Sequence, residues 1–219
     1  MNNKFIQILD NGEVLIDIPG DFVNVPMYFK QGLTDDDSMK LREGIVVRLL
    51  EAKKHLPRGW NFKIWDGYRP LSVQEKLYKG LWDLRAKENP AWGESRLKKE
   101  VEKFVAFPSY DPLKPSPHNT GGAVDLTIIN AKGEELPMGS GFDEFHERSY
   151  GDYFEAGVGA GSNDPMSKIY QENRLVLKEI LVEEGFAPYK WEWWHLSYGN
   201  QDWARFRKES VAIYGSVEL

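Results

Sequence analysis

The segment Gly121-Gly122-Ala123-Val124-Asp125-Leu126-Thr127-Ile128-Ile129 sets a carboxylate inside a run of apolar and β-branched residues. A run of this kind behind a double glycine reads as a strand from Ala123 to Ile129. A carboxylate in such a strand is costly to bury unless it is paired, hydrogen-bonded to a loop or bound to a metal. Whatever fold the chain adopts must bring a partner to Asp125.

The 219 residues suffice for one sizeable core and are few for two ordinary domains, so a single domain spanning 1–219 is expected. No repeat, low-complexity tract or Pro/Ser-rich linker divides the chain. Asn61 to Trp65 alternates as a strand, and the aromatic stretch from Tyr189 to Tyr198 suggests another. Helices are expected in three places. Leu41, Ile45, Leu49 and Ala52 recur at helical spacing after the acidic triplet Asp35-Asp36-Asp37, which reads as a helix N-terminus and not as a calcium site, and Pro57 and Gly59 end that helix. Val73, Leu77, Leu81 and Leu84 mark a helix from about Ser72 to Ala86. Ile169, Asn173, Leu177 and Ile180 mark a third from Asp164 to Glu184, stopped by Gly185. Strands and helices mix without strict βαβ alternation, which favours an α+β fold with a mostly antiparallel central sheet flanked by helices.

Composition narrows the chemistry. There are no cysteines, which removes disulfides, thiolate ligands and a cysteine nucleophile, so any metal is held by nitrogen and oxygen. A net charge of −6 with no run of Lys and Arg among aromatics argues against a nucleic-acid partner, and Arg96-Leu97-Lys98-Lys99-Glu100 reads as a solvated helix face. No stretch has the apolar length to span a bilayer, and the N-terminal residues lack a signal-peptide core. A cytoplasmic protein is expected. Gly157 to Ser162 fits neither the dinucleotide fingerprint nor a P-loop and reads as a loop.

Four histidines exist: His55, His118, His146 and His195. His55 falls at a helix C-terminus, where a cation complements the dipole, and His146 lies in a polar, exposed segment. His118 precedes Asp125 in a segment broken by Pro117 and the double glycine. His195 closes Glu192-Trp193-Trp194-His195, where surrounding tryptophans raise the pKa of a glutamate toward a value useful for proton transfer. Two imidazoles, one short carboxylate and a spare glutamate fit a metal-dependent hydrolase, since a catalytic zinc commonly takes three protein ligands and leaves a position for water. On a regular strand, residues three apart face opposite ways, so a common site for Glu192 and His195 requires a bulge or turn. In Trp65-Asp66-Gly67-Tyr68-Arg69-Pro70, Arg69 could serve an oxyanion with Asp66 to orient it, or form a structural salt bridge.

Ser-x-His-x-x-Gly-x-Ala-x-Asp at 116–125, Glu-x-Trp-His at 192–195, Asp-Gly-Tyr-Arg-Pro at 66–70, and Pro137 to Asp143 followed by Glu147-Arg148-Ser149 resemble, in this order, the D-alanyl-D-alanine dipeptidases. The resemblance implies the zinc-peptidase fold shared with D,D-carboxypeptidases and the hedgehog domain. It implies one zinc per chain held by His118, Asp125 and His195, with Glu192 as general base and Arg69 stabilising the oxyanion. Ser116 would hold the carboxylate of a small dipeptide substrate and Asp143 would face its ammonium group. The chain departs from the family pattern at Val23 to Phe29 and is longer between Glu88 and Pro115, which touches substrate fit and not zinc chemistry. A D,D-carboxypeptidase, a dipeptidase of other specificity and a non-catalytic zinc-binding interaction domain stand as rival readings. An Fe(II) oxygenase also uses two histidines and a carboxylate, but at tighter spacing and without a base such as Glu192.

Overall fold

The computed structural model describes residues 5–155 and 164–217. In chain order the elements are β1 (Gln7–Ile8), β2 (Leu15–Asp17), β3 (Val23–Asn24), α1 (Met27–Lys30), β4 (Lys40–Arg42), α2 (Glu43–Lys54), β5 (Asn61–Asp66), α3 (Leu71–Glu88) and α4 (Glu94–Val101). A 3-10 turn (Pro117–Thr120) leads into β6 (Ala123–Ile129), and another (Glu147–Ser149) precedes α5 (Ser167–Glu183), β7 (Ala187–Tyr189), β8 (Glu192–Ser197), α6 (Gln201–Arg207) and β9 (Val211–Ala212). Gly157 to Ser162 lies outside the described residues.

The central sheet has the order β3-β5-β6-β8-β7. Only the edge pair β3–β5 is parallel, so the sheet is mixed yet mostly antiparallel. Strand alternation then divides its residues between two faces. Phe62 and Ile64 of β5, Val124, Leu126 and Ile128 of β6, and Trp194 and Leu196 of β8 join Ile45, Leu49 and Ala52 of α2 and Leu177 and Leu181 of α5 in the main core. The alternate positions of the middle strands carry Asp125 and His195 on the other face. A smaller cluster of Leu81, Val101 and Val105, with Phe104 and Phe145 against it, ties α3 and α4 to the mouth of that face.

Three helices differ from the sequence expectation. Leu41 is fully buried but belongs to β4, because residues 40–42 pair antiparallel with β2, and α2 starts at Glu43 directly from that ladder. The acidic triplet therefore caps no helix; Ser38 donates its N–H to Asp36 Oδ1 at 2.9 Å in a local turn. In α5 the buried stripe runs through Arg174, Leu177 and Leu181, and Ile169 is exposed. The expected phase put Asn173 inward, whereas the inward position one turn before Leu177 is Arg174. Leu84 of α3 is likewise exposed. The single strand expected over Tyr189 to Tyr198 is the end of β7, a turn at Lys190–Trp191 and all of β8.

Close backbone approach fixes the turn after β5. A Cβ on Gly67 would sit 2.4 Å from Lys40 O of β4, a contact with backbone that cannot swing aside. Gly80, in the exposed interior of α3, has nothing within 4 Å. Gly67→Ala is expected to lower stability by about 1–3 kcal/mol through overpacking, and Gly80→Ala to raise it by roughly 0.5–1 kcal/mol through helix propensity. Urea unfolding of the two variants checks both signs.

Candidate active site

Asp125 stands in a row across the sheet, opposite Asp66 of β5 and His195 of β8. The 3-10 turn before β6 ends at Gly121, whose φ of 67° reverses the chain and brings His118 over the same face. His118 Nε2 lies 3.1 Å from His195 Nδ1 and 3.3 Å from Asp125 Oδ2, and His195 Nδ1 lies 3.0 Å from Asp125 Oδ1. All three residues are buried.

These separations fit a metal. Ligand atoms around a tetrahedral zinc, with bonds of about 2.0–2.1 Å, lie about 3.3 Å apart. The outward nitrogens are matched to this arrangement. His118 Nδ1 donates to Gly67 O at 2.7 Å, which leaves Nε2 as a lone pair facing the other two donors. His195 presents Nδ1 to the site and Nε2 to Ser197 Oγ at 3.3 Å, while Asn200 Nδ2 donates to the same oxygen at 2.9 Å. Burial lowers the pKa of His195 and so favours the neutral imidazole that a metal requires. Burial opposes the charge of Asp125, but the two histidines outweigh it and hold the carboxyl well below the usual range.

Glu192 reaches the same pocket. Its Oε2 lies 3.9 Å from His195 Nδ1 although the two residues are three apart in β8. The register of β7 against β8 shifts between Pro188 and Tyr189, so that Tyr189 pairs with Glu192. This is the bulge that a shared site demands. Burial, and then the charges of Asp125 and Asp143, push Glu192 well above the usual carboxylate range.

Arg69 is buried and almost fully engaged. It donates through Nε to Asp66 Oδ2 at 2.9 Å, through Nη1 to Gln74 Oε1 at 2.9 Å, and through Nη2 to Tyr28 Oη at 3.0 Å and Asp125 Oδ2 at 3.4 Å. The salt bridge with Asp66 and a place in the pocket, set out as alternatives from the sequence, coexist.

Asp143 enters from the loop after β6 in the left-handed region, φ 58°, which Asp tolerates better than most residues. Phe142 anchors it by stacking on Trp65 at 4.8 Å between ring centroids. Arg174 of α5 gathers the flanking loop by donating to the carbonyls of Met138, Arg148 and Tyr150. Burial is the main cause that pushes the Asp143 carboxyl up to about 7, with Arg69 opposing and Asp125 and Asp66 adding to it.

Arg69, His118, Asp125, Asp143, Glu192 and His195 thus line one cavity of about 90 Å³, walled by Phe104, Phe145 and Tyr189. Ser116 is placed differently. It lines a neighbouring cavity of about 450 Å³ that shares Ala106, Pro117 and Asp202 with the first, and its buried Oγ has no hydrogen-bond partner among the described residues. His55 closes α2 and lies 3.5 Å from Glu184, and exposed His146 pairs with Glu144; neither approaches the pocket. Sequence reasoning missed Tyr28, Gln74 and Tyr189. Tyr28 sat in view, in the segment where the family pattern breaks, while Gln74 looked like any helix-surface amide.

Residues 30–211 match the family described as D-ala-D-ala dipeptidase, Peptidase_M15. The chain belongs to this family. The D-alanyl-D-alanine dipeptidase of Synechocystis sp. is 30% identical over 196 residues, covering 81% of this chain and 79% of that protein. The D-alanyl-D-alanine dipeptidase of Enterococcus faecium is 34% identical over 149 residues, 67% of each. A more distant likeness is the solved structure of VanYB in complex with D-alanine-D-alanine, with a TM-score of 0.47 and 16% identity over 81% of this chain and 82% of that one. For this M15 peptidase the cofactor is zinc, and His118, Asp125 and His195 are a donor set that fits it. No helix among the described residues is long and apolar enough to cross a membrane.

The raised pKa of Asp143 makes stability of the zinc-free peptidase depend on pH. Below the unfolded value near 4 the carboxyl is protonated in both states; between about 4 and 7 only the folded state holds the proton, so stability falls as pH rises through that window. Urea midpoints of the chelated protein are expected to drop from pH 5.5 to pH 8, and to drop less in Asp143→Asn. Equal pH dependence in the two proteins contradicts this account.

Proposed function

We propose that the chain hydrolyses the free dipeptide D-alanyl-D-alanine, with His118, Asp125 and His195 as ligands of one zinc ion and Glu192 as general base. The observation that carries this reading is the charge balance of the pocket. Asp66, Asp125, Asp143 and Glu192 surround a single guanidinium, Arg69. Buried carboxylates in that excess call for cations. A divalent ion at the three ligands and a substrate ammonium at Asp143 supply them.

Zinc, when bound, polarises a peptide carbonyl and acidifies water. Glu192 is placed to take the proton of the attacking water and return it to the leaving amine, and its raised pKa suits both halves of that exchange. Asp66 and Gln74 hold the Arg69 guanidinium toward Asp125, from where it meets the charge that develops on the carbonyl oxygen. Tyr28 accepts from Arg69 and donates to Asp143, so the group for the oxyanion and the group for the ammonium share one hydroxyl. The unpartnered Oγ of Ser116 is left for the substrate carboxylate.

A non-catalytic zinc domain is disfavoured by Glu192, because a structural ion gives no return for burying a further carboxylate beside it. The dipeptide reading suits the cytoplasmic location expected from the sequence.

Zinc-dependent hydrolysis of D-Ala-D-Ala is the test, run beside L-Ala-L-Ala and N-acetyl-D-Ala-D-Ala. Only the free D,D-dipeptide should be cleaved. Glu192→Ala should keep its zinc and lose turnover, His195→Ala should lose both, and Arg69→Ala should keep zinc and lose about a hundredfold or more in kcat. Cleavage of the acetylated substrate would move the reading to a carboxypeptidase, and loss of zinc from Glu192→Ala would make Glu192 a ligand.

A further inference from the structure

Tyr189 is not accounted for by the roles above. It is the last residue of β7, and the register shift that turns Glu192 into the pocket acts on Tyr189 as well, because the two residues pair across the break. Its ring packs against His195, 5.3 Å between centroids at 61°, and it lines the cavity that holds Arg69, Asp143 and Glu192. Among the described residues its hydroxyl has no hydrogen-bond partner. Other tyrosine hydroxyls are committed: Tyr28 to Arg69, Tyr198 to Arg48, Tyr214 to Glu13 and Tyr110 to Glu75.

The chemistry of the pocket gives that free hydroxyl a use. Asp66, Asp125, Asp143 and Glu192 are acceptors when ionised, and four N–H groups of Arg69 are taken by Asp66, Gln74, Tyr28 and Asp125. Burial, and then the charge of Glu192, push the Tyr189 phenol above its ordinary range, so it is a neutral donor at cellular pH. Arg69 approaches the metal ligands from the β5 side, through Asp66 and Asp125, whereas Tyr189 approaches from the β7 side, over His195. A peptide carbonyl reacting between them has the guanidinium on one flank and an uncommitted O–H on the other.

We propose that Tyr189 is a second oxyanion donor, its hydroxyl hydrogen-bonding to the reacting carbonyl oxygen as negative charge develops there. The inference rests on the peptidase reading of the site. Because the donor acts on charge that appears during reaction, its removal reduces kcat and leaves substrate binding little changed.

Tyr189→Phe isolates the hydroxyl, since the ring against His195 is retained. Zinc content, measured by elemental analysis, and the urea midpoint should match wild type. With D-Ala-D-Ala as substrate, kcat should fall about ten- to hundredfold, the range for a hydrogen bond to a charged partner, with KM unchanged. Affinity for a phosphinate analogue of the dipeptide, a tetrahedral anion, measured by calorimetry, should weaken by a similar factor. A variant that matches wild type in kcat, or one in which only KM rises, overturns the assignment while leaving the peptidase reading intact. A wild type that cleaves no dipeptide overturns that reading and the role of Tyr189 with it.

Discussion

A carboxylate at the middle of a fully buried strand is the constraint on which the rest of the structure depends. Asp125 can stay ionised there only because His118 and His195 face its two oxygens and Arg69 approaches from the side. Removing one member of such a buried, charged group leaves the others unpaired, at a cost of about 3–5 kcal/mol. The architecture serves that requirement. The core face of β6 packs Val124, Leu126 and Ile128 under α2 and α5, which holds the strand rigid and presents Asp125 to the opposite face at a fixed register.

The same site stores unfavourable electrostatics. Burial raises Asp66, Asp143 and Glu192 together, and each carboxylate makes ionisation of the next harder. In a core this would be a defect. In a pocket that holds the proposed divalent ion and ammonium group it is preorganisation, because bound cations relieve repulsion that the fold has already absorbed. Arg174 and the Phe142–Trp65 stack provide the countervailing rigidity by pinning the loop that carries Asp143.

Much of this was legible in the sequence because it was written in local pattern. The apolar run around Asp125, the alternation of Asn61 to Trp65 and the periodicity of α3 each depend on neighbours a few residues away. The errors arose where distant pairing won. Leu41 satisfied helical spacing with Ile45 and Leu49, yet β2 claimed it for a ladder. Leu177 and Ile180 of the expected α5 stripe pack in the core, but Arg174 escaped it because its inward side chain is stabilised by carbonyls of a loop far from it in sequence. Gln74 gave no local signal and Tyr28 only its place in the segment that departs from the family pattern, because their importance lies in bonds to Arg69. The separate cavity of Ser116 likewise follows from how the segment before His118 is draped, which spacing does not encode.

The position of the site in the sheet has a structural logic. β6 is regular from end to end, and the register breaks fall on its two sides: between Ile64 and Asp66 in β5, and between Pro188 and Tyr189 in β7. A regular ladder alternates its side chains and can deliver only every second residue to a face. The first break lets Asp66 stand beside Asp125 with Arg69 following in the turn. The second lets Glu192 share a pocket with His195, three residues on, and swings Tyr189 in beside them. Regularity supplies the fixed centre of the candidate metal site, and irregularity on either flank brings in the groups proposed to act on a substrate.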